Sequence, residues 1–134
     1  MEIFTELFAE QESVFLEGDG HYKLKVITEP YHQNYLKSLC GGYSIKGSKQ
    51  EVVAKLHYDN YNQNDKNAIR VVVNGGAVGY LSPKQARLYR KRIEETGQEG
   101  IIVSCKARIL GGKRTWVFKK TDFSIWIDLP IKKL

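Results

Sequence analysis

Hydrophobic and polar residues alternate in several short segments of this chain, which is the pattern of strands with one buried face. Tyr22, Leu24 and Val26 alternate with polar or basic residues until Pro30 interrupts the pattern. A second strand is predicted over residues 50–58. The regular part of the chain is therefore expected to begin with two β-strands.

Two runs rich in β-branched residues, 68–73 and 77–81, are separated by Asn74, Gly75 and Gly76. Asn and Gly adopt the positive φ angles that a tight turn between antiparallel strands requires. These runs therefore predict a β-hairpin. Alternation in the last third of the chain predicts three further strands, at residues 101–109, 116–118 and 123–129.

Three segments predict helical structure. Ser82 and Pro83 supply an N-cap and a first-turn proline for a helix that runs to about residue 95. A short helical turn is predicted over residues 34–39. Residues 3–16 repeat apolar side chains at helical spacing with acids between them. This segment predicts an amphipathic helix that packs on the rest of the protein.

Many short strands, few helices and Gly-rich turns together indicate the fold class. We predict a mainly β protein with helices (α+β), built as a small OB-like, partly closed β-barrel with one or two helices. The 134 residues suffice for one such domain. Residues 1–20 are expected to form an acidic N-terminal helix packed on the body, and residues 21–134 are expected to form the barrel domain.

Charge is distributed unevenly along the chain. Residues 1–20 contain six acids and no Lys or Arg, a net charge of −6. The remaining residues carry all 21 cations and the other nine acids, so residues 21–134 have a net charge of +12. A basic body favours a polyanionic partner such as nucleic acid, although basic surfaces that are only solvated are also common.

The sequence lacks the motifs of several enzyme classes. It has no Gly-rich phosphate loop, no nucleophile elbow and no zinc-protease helix. Cys40 and Cys105 have no neighbours at metal-ligand spacing. We therefore expect no catalytic residue, no metal and no cofactor. Without a signal-like leader or an apolar run long enough to span a membrane, a soluble cytoplasmic protein is expected.

Two segments carry a resemblance to a known family. Residues 62–71 read N-Q-N-D-K-N-A-I-R-V, and residues 78–81 read V-G-Y-L. They resemble the signature of the HIRAN domain family, which is roughly N-P-Y-D-x-N-A-I-x-V followed, after a spacer, by V/I-G-Y/H-L. The resemblance extends over about residues 26–129. It implies an OB-like barrel that occurs alone in bacteria and phages or fused to helicases, and that binds the 3′ end of single-stranded DNA.

The resemblance also implies roles for particular residues. Tyr31 corresponds to a family aromatic that stacks on a base, although half-buried packing is the common role of an isolated tyrosine near a strand end. Asn62 and Asp65 correspond to a polar pair that contacts the terminal nucleotide. An Asp carboxylate accepts a hydrogen bond from a free 3′-hydroxyl. The alternative is that both side chains bond only the amides of their own turn.

Tyr80 corresponds to a position beside the family's ligand groove, where contact with the ligand and packing are both compatible with the pattern. Three positions depart from the family. Pro30 stands where studied members have an Arg, Gln63 replaces a proline, and Asn64 replaces a second aromatic. Tyr61 is a candidate for the missing second ring.

Cations in the predicted helix after residue 82 are candidate phosphate ligands. Lys84, Arg87 and Lys91 follow i, i+3, i+7 spacing and therefore share one face of a helix. A solvated helix face is the alternative.

The leading expectation is a nucleic-acid-binding module without catalysis of its own, which binds single-stranded DNA at a free 3′ end and acts with a separate helicase or nuclease subunit. One alternative is a protein-interaction adaptor for a DNA-processing enzyme. A second alternative is a Mg²⁺-dependent nuclease, in which Asp59 and Asp65 hold the ion.

Overall fold

The part of the chain described by the structure, residues 13–130 of a computed structural model, contains seven β-strands and two α-helices. In chain order they are β1 (Val14–Phe15), β2 (Leu24–Lys25), α1 (Gln33–Leu39), β3 (Ser48–Tyr58), β4 (Ile69–Val73), β5 (Gly76–Tyr80), α2 (Pro83–Glu95), β6 (Val103–Gly111) and β7 (Phe123–Asp128). A 3₁₀ turn, Pro30–His32, precedes α1. Most predicted elements are therefore present, including the turn of helix at residues 34–39.

The strands form one curled sheet in the order β2-β7-β6-β3-β4-β5, with antiparallel neighbours throughout. The chain just after β2 pairs with β5, the strand at the opposite edge of the sheet. There the N–H of Ile27 donates to the carbonyl of Tyr80 at 2.8 Å, and the N–H of Tyr80 donates to the carbonyl of Ile27 at 2.9 Å. This contact, the seam, joins the two edges. The predicted mainly β, partly closed barrel with two helices is confirmed.

Alternating side chains fill the interior of the barrel, because successive residues of a strand point to opposite faces of the sheet. The four central strands each contribute fully or almost fully buried residues, namely Ala54, Leu56, Ile69, Val71, Val73, Val103, Cys105, Ala107, Ile109, Phe123, Ile125 and Ile127. Burial raises the pKa of the Cys105 thiol to about 12, so this cysteine behaves as a small apolar side chain. Within residues 13–130, no helix combines the length and apolar character needed to cross a membrane.

Helix α2 covers one side of this core and begins as predicted. The Oγ of Ser82 accepts a hydrogen bond from the N–H of Gln85 at 3.2 Å, and the side chain of Gln85 accepts one from the N–H of Ser82 at 3.3 Å. This reciprocal pair satisfies N–H groups that have no partner inside the helix. Pro83 has no N–H group and therefore requires no acceptor. Ala86, Tyr89 and Ile93 form the buried face.

The predicted N-terminal helix is wrong at its end, where Val14–Phe15 form strand β1. β6 extends beyond the end of β7 and therefore offers unpaired backbone groups there. The N–H of Val14 donates to the carbonyl of Ile102, and the N–H of Leu16 donates to that of Ser104, each at 2.9 Å. Residues 3–12, the remainder of the predicted helix, lie outside the described residues.

The segment after β1 is fastened by a buried carboxylate. Asp128 is 3% exposed and accepts hydrogen bonds from the N–H groups of Gly20, at 3.0 Å, and Tyr22, at 3.3 Å. Tyr22 has a φ of +47°, which a regular strand does not allow. The first predicted strand is consequently confirmed only at Leu24–Lys25.

The strand predicted at residues 116–118 is also wrong. Arg114 pairs with Lys120, so the five residues between them must reverse the chain. Thr115 holds this tip, since its N–H donates to the carbonyl of Lys119 and its carbonyl accepts from the N–H of Phe118, each at 2.9 Å. The apolar side chains that suggested a strand are instead exposed at the tip, with Trp116 at 86%.

Gly79 is required by the close approach of the chains at the seam. Its φ is +154°, and a Cβ added to it would lie 2.2 Å from the carbonyl oxygen of Ile27. No side chain fits between these backbones. The glycine of the V-G-Y-L segment therefore has a structural role in closing the barrel.

We predict that Gly79→Ala lowers the free energy of unfolding by about 3 kcal/mol or more, because it combines backbone strain with a steric overlap. Urea denaturation measures the loss. Gly41→Ala is the matched control, since Gly41 also has a positive φ, +74°, but has open space around it. Backbone strain alone should lower the free energy of unfolding of this variant by about 1–2 kcal/mol. Equal losses in the two variants would contradict the steric argument.

Candidate nucleic-acid interface

The polar turn between β3 and β4, residues 59–68, is built by its own side chains. The Oδ1 of Asn62 accepts hydrogen bonds from the N–H groups of Asn64, at 2.9 Å, and Asp65, at 3.0 Å. The Oδ1 of Asp65 accepts from the N–H of Asn67 at 2.9 Å. Short polar side chains make such local bonds readily. Asn62 and Asp65 therefore both serve the turn, and their predicted contact with a terminal nucleotide stays a prediction.

A buried guanidinium from α2 fastens this turn to the barrel. Arg90 is 8% exposed, and its side chain donates hydrogen bonds to three backbone carbonyls of the turn and to one side-chain amide. The acceptors are the carbonyls of Lys66 (3.2 Å), Asn67 (2.7 Å) and Ala68 (2.9 Å) and the Oδ1 of Asn60 (2.9 Å). The guanidinium carbon also lies 4.2 Å from the centre of the Tyr58 ring.

The sequence analysis did not identify this role for Arg90. One signal was present. Arg90 follows Ala86 by four residues and Tyr89 by one, so it lies beside the apolar face of α2. Tyr58 packs against the guanidinium of Arg90 and is half-buried. It is therefore part of the support for the turn.

A small hydrogen-bonded cluster lies where the turn meets the seam. The hydroxyl of Tyr80 donates to Oδ2 of Asp59 at 3.1 Å, and the Nδ2 of Asn62 donates to the same oxygen at 3.3 Å. Burial raises the pKa of Tyr80, the hydrogen bond and charge of Asp59 raise it further, and Arg70 opposes the shift. The tyrosine is thus a neutral donor at physiological pH. Asp59, considered from the sequence only as a metal ligand, is the centre of this cluster.

Tyr31 projects into solvent beside this cluster. The residue is 71% exposed, which excludes the packing role. The ring centres of Tyr31 and His32 are 4.3 Å apart with a tilt of 52°. The turn Pro30–His32, which carries Tyr31, contacts strand β5, at whose end Tyr80 lies.

The turn that carries Tyr31 is rigidly held. His32 is 4% exposed, and its Nδ1 accepts a hydrogen bond from the N–H of Glu29 at 2.9 Å. Burial lowers the pKa of His32, which favours the neutral ring that this bond requires, while Glu29 partly offsets the shift. The side-chain amide of Gln33 donates to the carbonyl of Phe123 at 2.9 Å and accepts from its N–H at 2.8 Å. Tyr31 is therefore an exposed ring on a fixed backbone.

The other predicted site residues lie on exposed surfaces. Tyr61 is 96% exposed at the tip of the turn, next to Asn62. Lys84, Arg87 and Lys91 are exposed on the outer side of α2. Among the described residues, no hydrogen bond or ion pair joins these three cations to the Tyr80 cluster. The structure therefore links Asn62 to Tyr80 through Asp59, and it does not connect the helix cations to this cluster.

A metal site has no support in the described part of the chain, because residues 13–130 contain no group of three His, Cys, Asp or Glu side chains placed to hold an ion. Asp59 is engaged with Tyr80 and Asn62, as described above. This arrangement gives the nuclease alternative no observation in its favour.

Comparison with protein-family models, curated proteins and solved structures found no match to this chain. The resemblance to the HIRAN family therefore rests on the residues quoted for it and stays a prediction. The structure does give physical reasons for several of those residues. Asn62 and Asp65 build the turn, and Gly79 allows the seam to close.

We predict that Arg90→Met lowers the free energy of unfolding by about 3 kcal/mol, because it removes four hydrogen bonds made by a nearly buried charged side chain. Thermal or urea denaturation followed by circular dichroism measures the loss. Arg87→Met is the matched control on the exposed face of the same helix and should stay within about 0.5 kcal/mol of the wild type. A similar effect of both substitutions would show that Arg90 does not anchor the turn.

Proposed function

We propose that the protein is a non-catalytic nucleic-acid-binding module that captures single-stranded DNA and prefers a free 3′ end. The observation that supports this best is the assembly of Tyr31, Tyr80, Asp59 and Asn62 at the barrel seam. An exposed aromatic ring on a rigid turn is suited to stack on a base, an interaction worth about 1–3 kcal/mol. Tyr61, exposed on the adjacent turn, is the candidate second ring.

The carboxylates of this region support a preference for the end of a strand. Asp65 uses Oδ1 for its turn, and Asp59 uses Oδ2 for Tyr80 and Asn62, so each has a second oxygen able to accept from a ligand. A free 3′-hydroxyl donates a hydrogen bond to a carboxylate, whereas a 3′-phosphate carries negative charge and is repelled. The same two carboxylates would repel the phosphates of a DNA strand that continued through the site.

Affinity for the remainder of the strand is attributed to cations. The +12 charge of residues 21–134 attracts a polyanion over a long range, and Lys84, Arg87 and Lys91 are exposed close in sequence to Tyr80. Contacts of this kind release counterions from the nucleic acid. Binding should therefore weaken steeply as salt is raised.

The proposal is tested by fluorescence anisotropy with matched oligonucleotides that end in a 3′-hydroxyl or a 3′-phosphate. We expect at least about tenfold tighter binding of the hydroxyl form. Tyr31→Ala should weaken binding about tenfold through loss of stacking, while Phe118→Ala, which removes another exposed ring, should have little effect. Equal affinity for the two ends would refute end recognition. Absence of binding to either at low salt would refute the nucleic-acid class.

Asp65→Asn probes the end preference separately. Asn keeps the Oδ1 acceptor that the turn needs but removes the charge. We therefore expect the variant to fold normally and to bind the 3′-phosphate oligonucleotide nearly as well as the 3′-hydroxyl one. An unchanged ratio of the two affinities would exclude Asp65 from the site.

One observation favours the adaptor alternative as a second candidate. The tip of the β6–β7 hairpin exposes Trp116, Val117 and Phe118 together, at 86%, 52% and 79%. Contiguous exposed apolar side chains are typical of protein interaction surfaces. A helicase or nuclease subunit is the partner class that we propose for this tip.

The two candidate functions make opposite predictions for two variants. Trp116→Ser combined with Phe118→Ser should abolish co-purification with a helicase or nuclease subunit and leave oligonucleotide affinity unchanged. Tyr31→Ala should do the reverse. Deletion of residues 1–12 spares strand β1 and tests whether the acidic N-terminal residues contribute to partner binding. If the tip variant retains its helicase or nuclease partner, the adaptor role of the tip is excluded.

A further inference from the structure

The outer face of β3 and β4 carries three basic side chains, a lysine, an arginine and a histidine, that the sequence did not single out. Lys55 and His57 are two residues apart on β3 and point outward, because the alternating residues Ala54 and Leu56 are fully buried. Arg70 of β4 is the cross-strand partner of His57. Lys55, His57 and Arg70, here called the cation trio, therefore converge on one patch of the sheet.

The cation trio lines an open cavity of about 540 Å³. The other lining residues are uncharged, namely Val72, Gly75, Ala77 and Ile102. Within residues 13–130, none of the three cationic side chains takes part in an ion pair. The cavity is therefore positive and without internal compensation.

The charges of Lys55 and Arg70 repel each other and disfavour a proton on the neighbouring imidazole of His57. Burial lowers the pKa of His57, and the charges of Arg70 and Lys55 lower it further. Like charges on paired strands are unfavourable unless an anion offsets them. The chain thus accepts a local electrostatic cost that a bound anion would remove, and the open cavity gives such an anion access.

The cavity adjoins the Tyr80 cluster. Arg70 pairs with His57 on one side and with Tyr80 on the other, so the three residues form one row across β3, β4 and β5. His57 and Tyr80, at the two ends of this row, are two strand spacings apart, which is about 10 Å. A strand whose terminal nucleotide lies at Tyr80 would therefore pass its next phosphates over the cation trio.

We propose that the cation trio is a phosphate site that binds an internucleotide phosphodiester adjacent to the terminal nucleotide. The assignment of the strand's end to Tyr80 rests on the proposed function, whereas phosphate binding by the cavity does not. Arg70 supplies a planar fork of donors that matches two phosphate oxygens, and Lys55 supplies a point charge. His57 supplies a third donor when it is protonated.

Charge removal tests the site. Arg70→Gln and Lys55→Gln should each weaken binding of a 3′-hydroxyl oligonucleotide about tenfold. Lys49→Gln is the matched control, because Lys49 is exposed at the other end of β3, about 20 Å from Lys55, and its loss should change affinity less than about threefold. An equal loss in all three variants would overturn the proposal in favour of general electrostatic attraction.

Replacing single phosphodiesters by an uncharged linkage identifies the phosphate that the cation trio binds. Replacing the phosphodiesters near the 3′ end one at a time by methylphosphonate should identify one position that weakens binding to the wild type about tenfold. The same replacement should cause no further loss in Arg70→Gln. If the loss of affinity from the methylphosphonate adds to the loss from Arg70→Gln, Arg70 does not contact that phosphate and the site is refuted.

The site also predicts a pH dependence. A bound phosphodiester stays anionic and raises the pKa of His57, so binding takes up a proton and affinity should rise as pH falls from about 8 to about 6. The charged groups facing His57 are Lys55 on its own strand and Arg70 on β4. His57→Gln should remove most of the dependence. An unaltered pH profile in that variant would exclude His57.

Inorganic phosphate separates this site from the end-reading proposal. Its titration, followed through the imidazole NMR signals of His57, should shift those signals and raise the pKa of His57 in the wild type but not in Arg70→Gln. If phosphate binds in this way while 3′-hydroxyl and 3′-phosphate oligonucleotides bind equally, the phosphate site stands and end recognition fails. If His57 is unaffected by phosphate and by oligonucleotide alike, the phosphate site fails.

Discussion

The buried guanidinium of Arg90 is the interaction on which the arrangement of the candidate site depends. Carbonyl groups in an irregular turn have no strand partner, and burying them without a donor costs about 1–3 kcal/mol each. Arg90 donates to three carbonyls of the turn, of which that of Ala68 also accepts from the N–H of Asp59, and to one amide oxygen. Because the turn is held in this way, Asp59 and Asn62 reach the hydroxyl of Tyr80 with fixed geometry. A flexible turn would not preorganise them.

Barrel closure and the candidate site share one residue. The backbone of Tyr80 pairs with Ile27 to close the seam, while its side chain is the donor to Asp59. Gly79 makes this possible because no side chain fits beside Ile27. Closure therefore fixes the backbone of the site, and substitutions that loosen the seam should disturb both stability and binding. The acids lie on the turn, and the cation trio lies on β3 and β4, the two strands that the turn connects.

Much of the secondary structure followed from local patterns, because it depends on interactions between residues close in sequence. Alternation located the central strands, and Asn74 with Gly75 located the tight hairpin turn. Ser82 and Pro83 marked the start of α2, since capping satisfies N–H groups within one turn. The density of Asn and Asp indicated a side-chain-bonded turn at residues 59–68, and the structure has one.

The sequence by itself thus determined the β-rich architecture, the hairpin, the helix after residue 82 and the chemistry of the polar turn. Tertiary structure decided which side chains meet. Only folding showed that Arg90 is buried, that Tyr31 stands beside Tyr80, and that Asp59 is the shared acceptor. It also exposed Trp116 at a hairpin tip instead of in a strand. These outcomes depend on contacts between residues far apart in the chain, and local patterns carry no information about such distances.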